Sequence, residues 1–198
     1  QWYVEAGAER VAYFPNMTEP SLDYPQEAEE KWHSNVLFTG GLHGVPERKE
    51  LIEHLKERVD LTLYHCLGNP TVTGRDYYAA ISNTRIGLNI SAFPDFDKCL
   101  SDRPYHYLGC GAMLCTREVP EMTRLFTPDK EIITFMSKEE AAEKISYYLE
   151  HEPQRAAIAA AGQQAVRARF TPERVVGDML ATIDGTPPDR PWSEVVCP

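Results

Sequence analysis

At 198 residues the chain suits one ordinary domain with some extra length, and a hydrophobic content of 42% is enough for a sizeable core. Its formal net charge of −10 excludes a broad phosphate-neutralising face, so nucleic acid is not an expected partner, while a local basic pocket for a small anion stays open. No apolar run approaches the roughly 18 residues of a membrane span.

The five cysteines (Cys66, Cys99, Cys110, Cys115, Cys197) are odd in number and form no Cys-x-x-Cys pair. Buried free thiols in a reducing compartment fit best, so a cytoplasmic protein is expected and a zinc site is not.

Taken in order, Trp2 to Ala8 reads as the end of a helix with a glycine stop, and Arg10 to Pro15 as a strand. Asn16 to Ser34 is rich in Pro, Glu and Asp without periodicity, the composition of a linker over a surface. Residues 1–34 are thus expected to be the tail of a preceding domain plus a linker. Val36-Leu37-Phe38-Thr39 is the first clear strand and runs into Gly40-Gly41-Leu42-His43-Gly44. Pro46 then opens a helix with Leu51, Ile52, Leu55 and Val59 at helical spacing, and Arg48 in its first turn. The loop is neither a P-loop nor a Gly-x-Gly-x-x-Gly fingerprint. Its glycines either cradle a phosphate or only permit a tight turn.

Leu61 to Cys66 is the next strand, Thr73-Gly74 precedes a helix with Tyr77, Tyr78 and Ile81, and Arg85 to Ile90 is a further strand opening at Ser91. Ser101 or Asp102 can cap a helix that holds Pro104 in its first turn, and Gly109 and Gly111 are expected to end it in a left-handed turn. Arg103 therefore sits at a helix N-terminus, where free N–H groups favour anions. It either binds a phosphate there or pairs with a carboxylate. Ala112 to Cys115 reads as a buried strand, Pro120 to Phe126 as a short helix and Glu131 to Phe135 as another strand.

The remainder is helical. Ser137 to Glu140 is a capping box ahead of Ala141, Ile145, Tyr148 and Leu149; Pro153 opens a second helix. Thr171-Pro172 opens a third, with Val175, Val176, Met179, Leu180 and Ile183 as its expected buried stripe. The repeated alternation predicts an α/β, Rossmann-like parallel sheet over residues 35–185, with helices on both faces and a helical C-terminal tail, then an extension over 186–198. Ligands of such sheets bind beyond the carboxyl ends of the strands, the edge that carries Gly40-Gly41, Ser91, Arg48 and Arg103. Two arginines and a glycine loop at one edge describe a diphosphate site.

From about Val36 to Leu180 the chain resembles the C-terminal, donor-binding half of a GT-B glycosyltransferase, in the spore-maturation-protein-like group of family-1-type enzymes. The pieces that carry the likeness are Val36 to Gly41; Asp76-Tyr77-Tyr78 before Ile86 to Ile90; Arg103 to Gly111; Glu131-Ile132-Ile133; Tyr147-Tyr148-Leu149; and Ala159 to Gly162 before Phe170-Thr171. The resemblance implies a nucleotide-diphosphate sugar as donor substrate, no further cofactor, no metal, and an N-terminal acceptor-binding half as partner. The 198 residues alone are then expected to transfer no sugar to an acceptor. It also implies that Gly40 and Gly41 admit the diphosphate and that Arg103 begins the family's Arg-x-aromatic-Glu pattern. His106 stands where that Glu is usual, and Lys98 where many GT-B enzymes carry another. The candidate site is Arg103 and Arg48 as catalytic cations, with Gly40, Gly41, Tyr77, Asn89, Ser91, Arg103 and His106 around the donor. The rival reading is a non-catalytic nucleotide-sugar-binding or assembly domain. A dinucleotide-dependent oxidoreductase is disfavoured by the missing fingerprint.

Overall fold

The computed structural model describes residues 2–8, 11–42, 45–193 and 195–196, so Arg10, the His43-Gly44 end of the glycine loop and Cys197 lie outside the described residues. In chain order the elements are α1 (Trp2–Glu5), β1 (Val11–Ala12), β2 (Ser34–Thr39), α2 (Pro46–Lys56), β3 (Leu61–Tyr64), α3 (Gly74–Ser82), β4 (Thr84–Asn89), α4 (Arg103–Gly109), β5 (Met113–Arg117), β6 (Ile133–Phe135), α5 (Lys138–Glu150), α6 (Glu152–Arg169), α7 (Pro172–Ile183) and β7 (Val195–Val196). The apolar run 36–38 becomes the centre of β2 and is fully buried, as expected for a strand covered on both faces. Pro120 to Phe126 condenses to a single 3-10 turn at Met122–Arg124.

β2 to β6 form a five-stranded parallel sheet in the order β3-β2-β4-β5-β6. The chain steps outward from β2 to β3, then returns across β2 to β4. Right-handed crossovers in opposite directions put their helices on opposite faces. Accordingly Leu51, Ile52 and Leu55 of α2 share one core with Ala141 and Ile145 of α5. Tyr105, Tyr107 and Leu108 of α4 share the other with Ala80 and Ile81 of α3. The reversal falls between β2 and β4, so their carboxyl ends part into a crevice.

Small residues let helices close on the sheet. Gly87 in β4 faces the Tyr107 ring, whose Cγ lies 2.4 Å from where a Cβ would stand. The Tyr107 hydroxyl then reaches Leu37 O at 3.2 Å and Thr39 Oγ1 at 3.3 Å, fixing α4 over the end of β2.

Two expectations are corrected here. Gly109 does not turn the chain; it is the last residue of α4, and Gly111 (φ 88°) makes the left-handed turn. Gly109 is small because Thr18 Oγ1 and Asp23 Cβ lie 2.3 and 2.6 Å from where its Cβ would be. The segment before β2 is thereby strapped to α4 and its flanks: Tyr13 Oη donates to Lys98 O, Asn16 Nδ2 to Leu100 O, and Thr18 N to Phe170 O. The second correction is α7. Its buried residues are Val175, Asp178 and Thr182, while Val176, Leu180 and Ile183 of the expected stripe face out at 41%, 56% and 74% exposure. The chain after α7 folds back along the polar side instead. Arg190 forks onto the Asp178 carboxylate with two 3.0 Å bonds, and Trp192 is buried against Phe170.

Candidate functional site

A cleft of about 660 Å³ opens at the carboxyl edge, over the ends of β2 and β3 and between the first turns of α3 and α4. Its walls carry Thr39, Gly40 and Gly41 at the end of β2; Tyr64 and His65 at the end of β3; Thr71 to Gly74, Tyr77 and Tyr78 around α3; and Asp102, Arg103 and His106 at the start of α4.

Arg103 extends from the start of α4 over the Phe38 ring, and its Nη1 donates to Thr39 O. The guanidinium lies against Gly40, with Nη1 1.7 Å from where a Cβ at that position would stand. Glycine at 40 is therefore what lets this cation reach the strand end, leaving Nε and Nη2 as the donors to offer an anion. Tyr77 and His106 come together across α3 and α4, with Tyr77 Oη 3.0 Å from His106 Nδ1 and the rings edge to face. Burial pushes the Tyr77 phenol well above its ordinary range, so it stays a neutral hydrogen-bonding group.

The backbone amides of α4 do not serve as the sequence suggests. Arg103 N donates to Asp102 Oδ1 at 2.9 Å, Pro104 has no N–H, and Tyr105 N and His106 N both bond Asp102 O. The helix start is thus closed by its own aspartate, and the guanidinium is what α4 offers an anion. Arg48 lies apart from Arg103. It lies 93% buried below the crevice, not in the cleft wall; Nε donates to Ile90 O and Nη1 to Gly41 O, each at 2.9 Å. It ties the two lips of the β2–β4 crevice together, and burial, with the Arg103 charge, lowers its pKa to about 10, still charged at neutral pH.

Asn89 and Ser91 are buried at the end of β4, also outside the cleft wall. Asn89 Nδ2 bonds Thr116 Oγ1 at 3.0 Å, while Asn89 Oδ1 and Ser91 Oγ have no hydrogen-bond partner among the described residues. Lys98 is buried on the far side of this loop, 3.8 Å from Glu121 and over the Tyr13 ring. Sequence reasoning missed Tyr64, His65, Thr71, Thr73, Tyr78 and Asp102; Tyr64 ends β3 and His65 directly follows it, where the carboxyl-edge rule could have found them. Among the described residues, no group of three or more His, Cys, Asp or Glu is placed to hold a metal ion, and no helix is long and apolar enough to cross a membrane.

A doubly wound parallel sheet with a glycine turn, a guanidinium and an aromatic wall at its switch-point edge is a Rossmann-like α/β architecture. The sequence profile of the glycosyl transferase-like family matches residues 47–181, and the chain belongs to that family. Comparison with curated protein sequences gave no match. Similar solved structures include an α1,3-fucosyltransferase with GDP-fucose, 13% identical over 78% of this chain and 47% of that one, with a TM-score of 0.63. Another is Anabaena HepE in complex with UDP and glucose, 12% identical over 87% of this chain and 56% of that one, TM-score 0.69. The C-terminal domain of the group 1 glycosyl transferase LpcC from Francisella tularensis is 14% identical, covering 78% of this chain and 99% of that domain, TM-score 0.57. The likeness is one of fold, the Rossmann-like half of GT-B glycosyltransferases. The chain spans about half the length of the fucosyltransferase and HepE chains.

Proposed function

We propose that this chain is the donor-binding domain of a glycosyltransferase. It holds a nucleotide-diphosphate sugar in the β2–α4 cleft while the sugar passes to an acceptor carried by a separate half of the enzyme. The observation that carries this reading is the Arg103 guanidinium lodged against Gly40 at the topological switch point, in a cleft of about 660 Å³. A cation fixed in place by the fold stabilises negative charge as it grows on a departing diphosphate. Likeness to proteins crystallised with GDP-fucose and with UDP supports the donor class. Membership in the spore-maturation-protein-like group is part of the same proposal and rests on the motifs 103–111 and 159–171. Calorimetric titration with UDP, GDP, ADP and NAD tests it: a nucleoside diphosphate should bind, and NAD should not. A folded protein that binds none of the diphosphates overturns it.

The reading assigns His106 to the nucleoside end. With Nδ1 on Tyr77, its Nε2 is the ring nitrogen left for a ribose hydroxyl. His106→Ala should lower the preference for a ribonucleotide over its 2′-deoxy analogue by about 1 kcal/mol, the net worth of an ordinary hydrogen bond. His106→Glu should keep or raise that preference. An unchanged ratio of the two affinities in His106→Ala would remove the ribose role.

A further inference from the structure

After β3 the chain makes a compact loop through left-handed backbone at His65 (φ 65°), Leu67 (φ 49°) and Gly68 (φ 79°). Residues other than glycine adopt this region in a few per cent of cases, and such positions cluster where a side chain must be aimed. The loop is closed by His65 N to Pro70 O and Asn69 N to Cys66 O, both 2.9 Å. It sets the imidazole beside the glycine turn. His65 Nδ1 lies 2.8 Å from Thr71 Oγ1, and the opposite edge, Cδ2 and Nε2, lies 3.8 and 3.9 Å from where a Cβ on Gly41 would stand. Gly40 is met in the same way by Arg103. Side chains from two different elements thus flank the paired glycines, a guanidinium at one and an imidazole at the other.

We propose that His65 is a donor-contacting residue whose Nε2 hydrogen-bonds a diphosphate oxygen, across the glycine turn from Arg103. This rests on the reading of the cleft as a nucleotide-diphosphate site. Thr71 supplies the tautomer: when its hydroxyl donates to Nδ1, the ring proton sits on Nε2, where it can be given to a phosphate oxygen. The diphosphate is the matching part of the donor because Nε2 and the guanidinium border the same short stretch of main chain. Histidine is also among the residues that enter left-handed backbone most readily, so loop conformation alone is the competing explanation. Asparagine shares that tolerance but lacks the reach, and His65→Asn separates the two.

The full chain is titrated with UDP and uridine, and with GDP and guanosine. His65→Asn should weaken the diphosphate that binds by about 10- to 100-fold, the scale of one hydrogen bond to a charged group, and leave the nucleoside unchanged. Thr71→Val should weaken it about threefold by releasing the tautomer. In the wild type, adding the same diphosphate should shift the ¹⁵N resonance of His65 Nε2, a readout that needs no variant. Wild-type diphosphate affinity in a folded His65→Asn, equal losses for nucleoside and diphosphate, or an unmoved Nε2 resonance each overturns the inference. In those cases Arg103→Ala still weakens binding and the nucleotide reading stands. If the wild type binds no diphosphate, the reading fails and the inference fails with it.

Discussion

Arg103→Ala is expected to weaken nucleoside-diphosphate binding by about 1.5–3 kcal/mol, the range for hydrogen bonds to charged groups. That is on the order of ten- to a hundred-fold in dissociation constant. The effect is large because nothing else on α4 replaces the lost charge: Arg103 N and the first-turn amides already bond Asp102, and Arg48 is held by Gly41 O and Ile90 O. Arg103→Lys should fall between wild type and alanine, since an ammonium keeps the charge and loses the planar fork. Gly40→Ala offers an independent route to the same loss, because its methyl would occupy the space of the Arg103 guanidinium. The measurement is calorimetric titration with thermal unfolding as the control for folding. Equal affinity of Arg103→Ala and wild type would remove the cation from the site.

The second large effect is on stability and concerns one substitution at two helical glycines, with opposite signs. Gly162 in α6 faces Glu131 O at 2.3 Å and Leu108 Cδ2 at 2.7 Å, measured from where its Cβ would be. Those neighbours cannot yield cheaply: Glu131 N bonds Thr127 O, and Glu131 Oε2 takes Thr127 N and Arg169 Nη2. Gly162→Ala should therefore destabilise by about 2–3 kcal/mol, as overpacking of a filled interior does. For a chain of this size that lowers the melting temperature by roughly 5–10 °C. Gly177, inside α7, has no atom of the described residues within 4 Å of the corresponding point. Gly177→Ala only removes unfolded-state freedom and should stabilise by about 0.5–1 kcal/mol. Thermal unfolding of both variants decides it, and a stabilisation of both would show that helix propensity rather than packing controls these sites.

What the sequence by itself determined is local and periodic. The stretch 36–39 reads as a strand and the apolar run 112–115 as a doubly covered one, and the Ser137 to Glu140 signature marks the start of α5, where Ser137 Oγ caps Glu140 N. Their alternation with helices gave a parallel sheet, and with it the edge where Gly40, Gly41, Arg103 and His106 meet. Tertiary structure decided everything that depends on which neighbour a residue finds. The α7 pattern marked apolar residues but could not report that Arg190 and Trp192 would return to cover its polar side, which turned Val176, Leu180 and Ile183 outward. Arg48 looked equivalent to Arg103 in the sequence. The strand order made them different, because reversing direction between β2 and β4 left two carbonyls, Gly41 O and Ile90 O, within reach of one buried guanidinium and put the other in the open cleft. His65 carried no sequence signal beyond its place after a strand; only a left-handed backbone, set by the contacts of the Pro70 loop, aims its ring at Gly41.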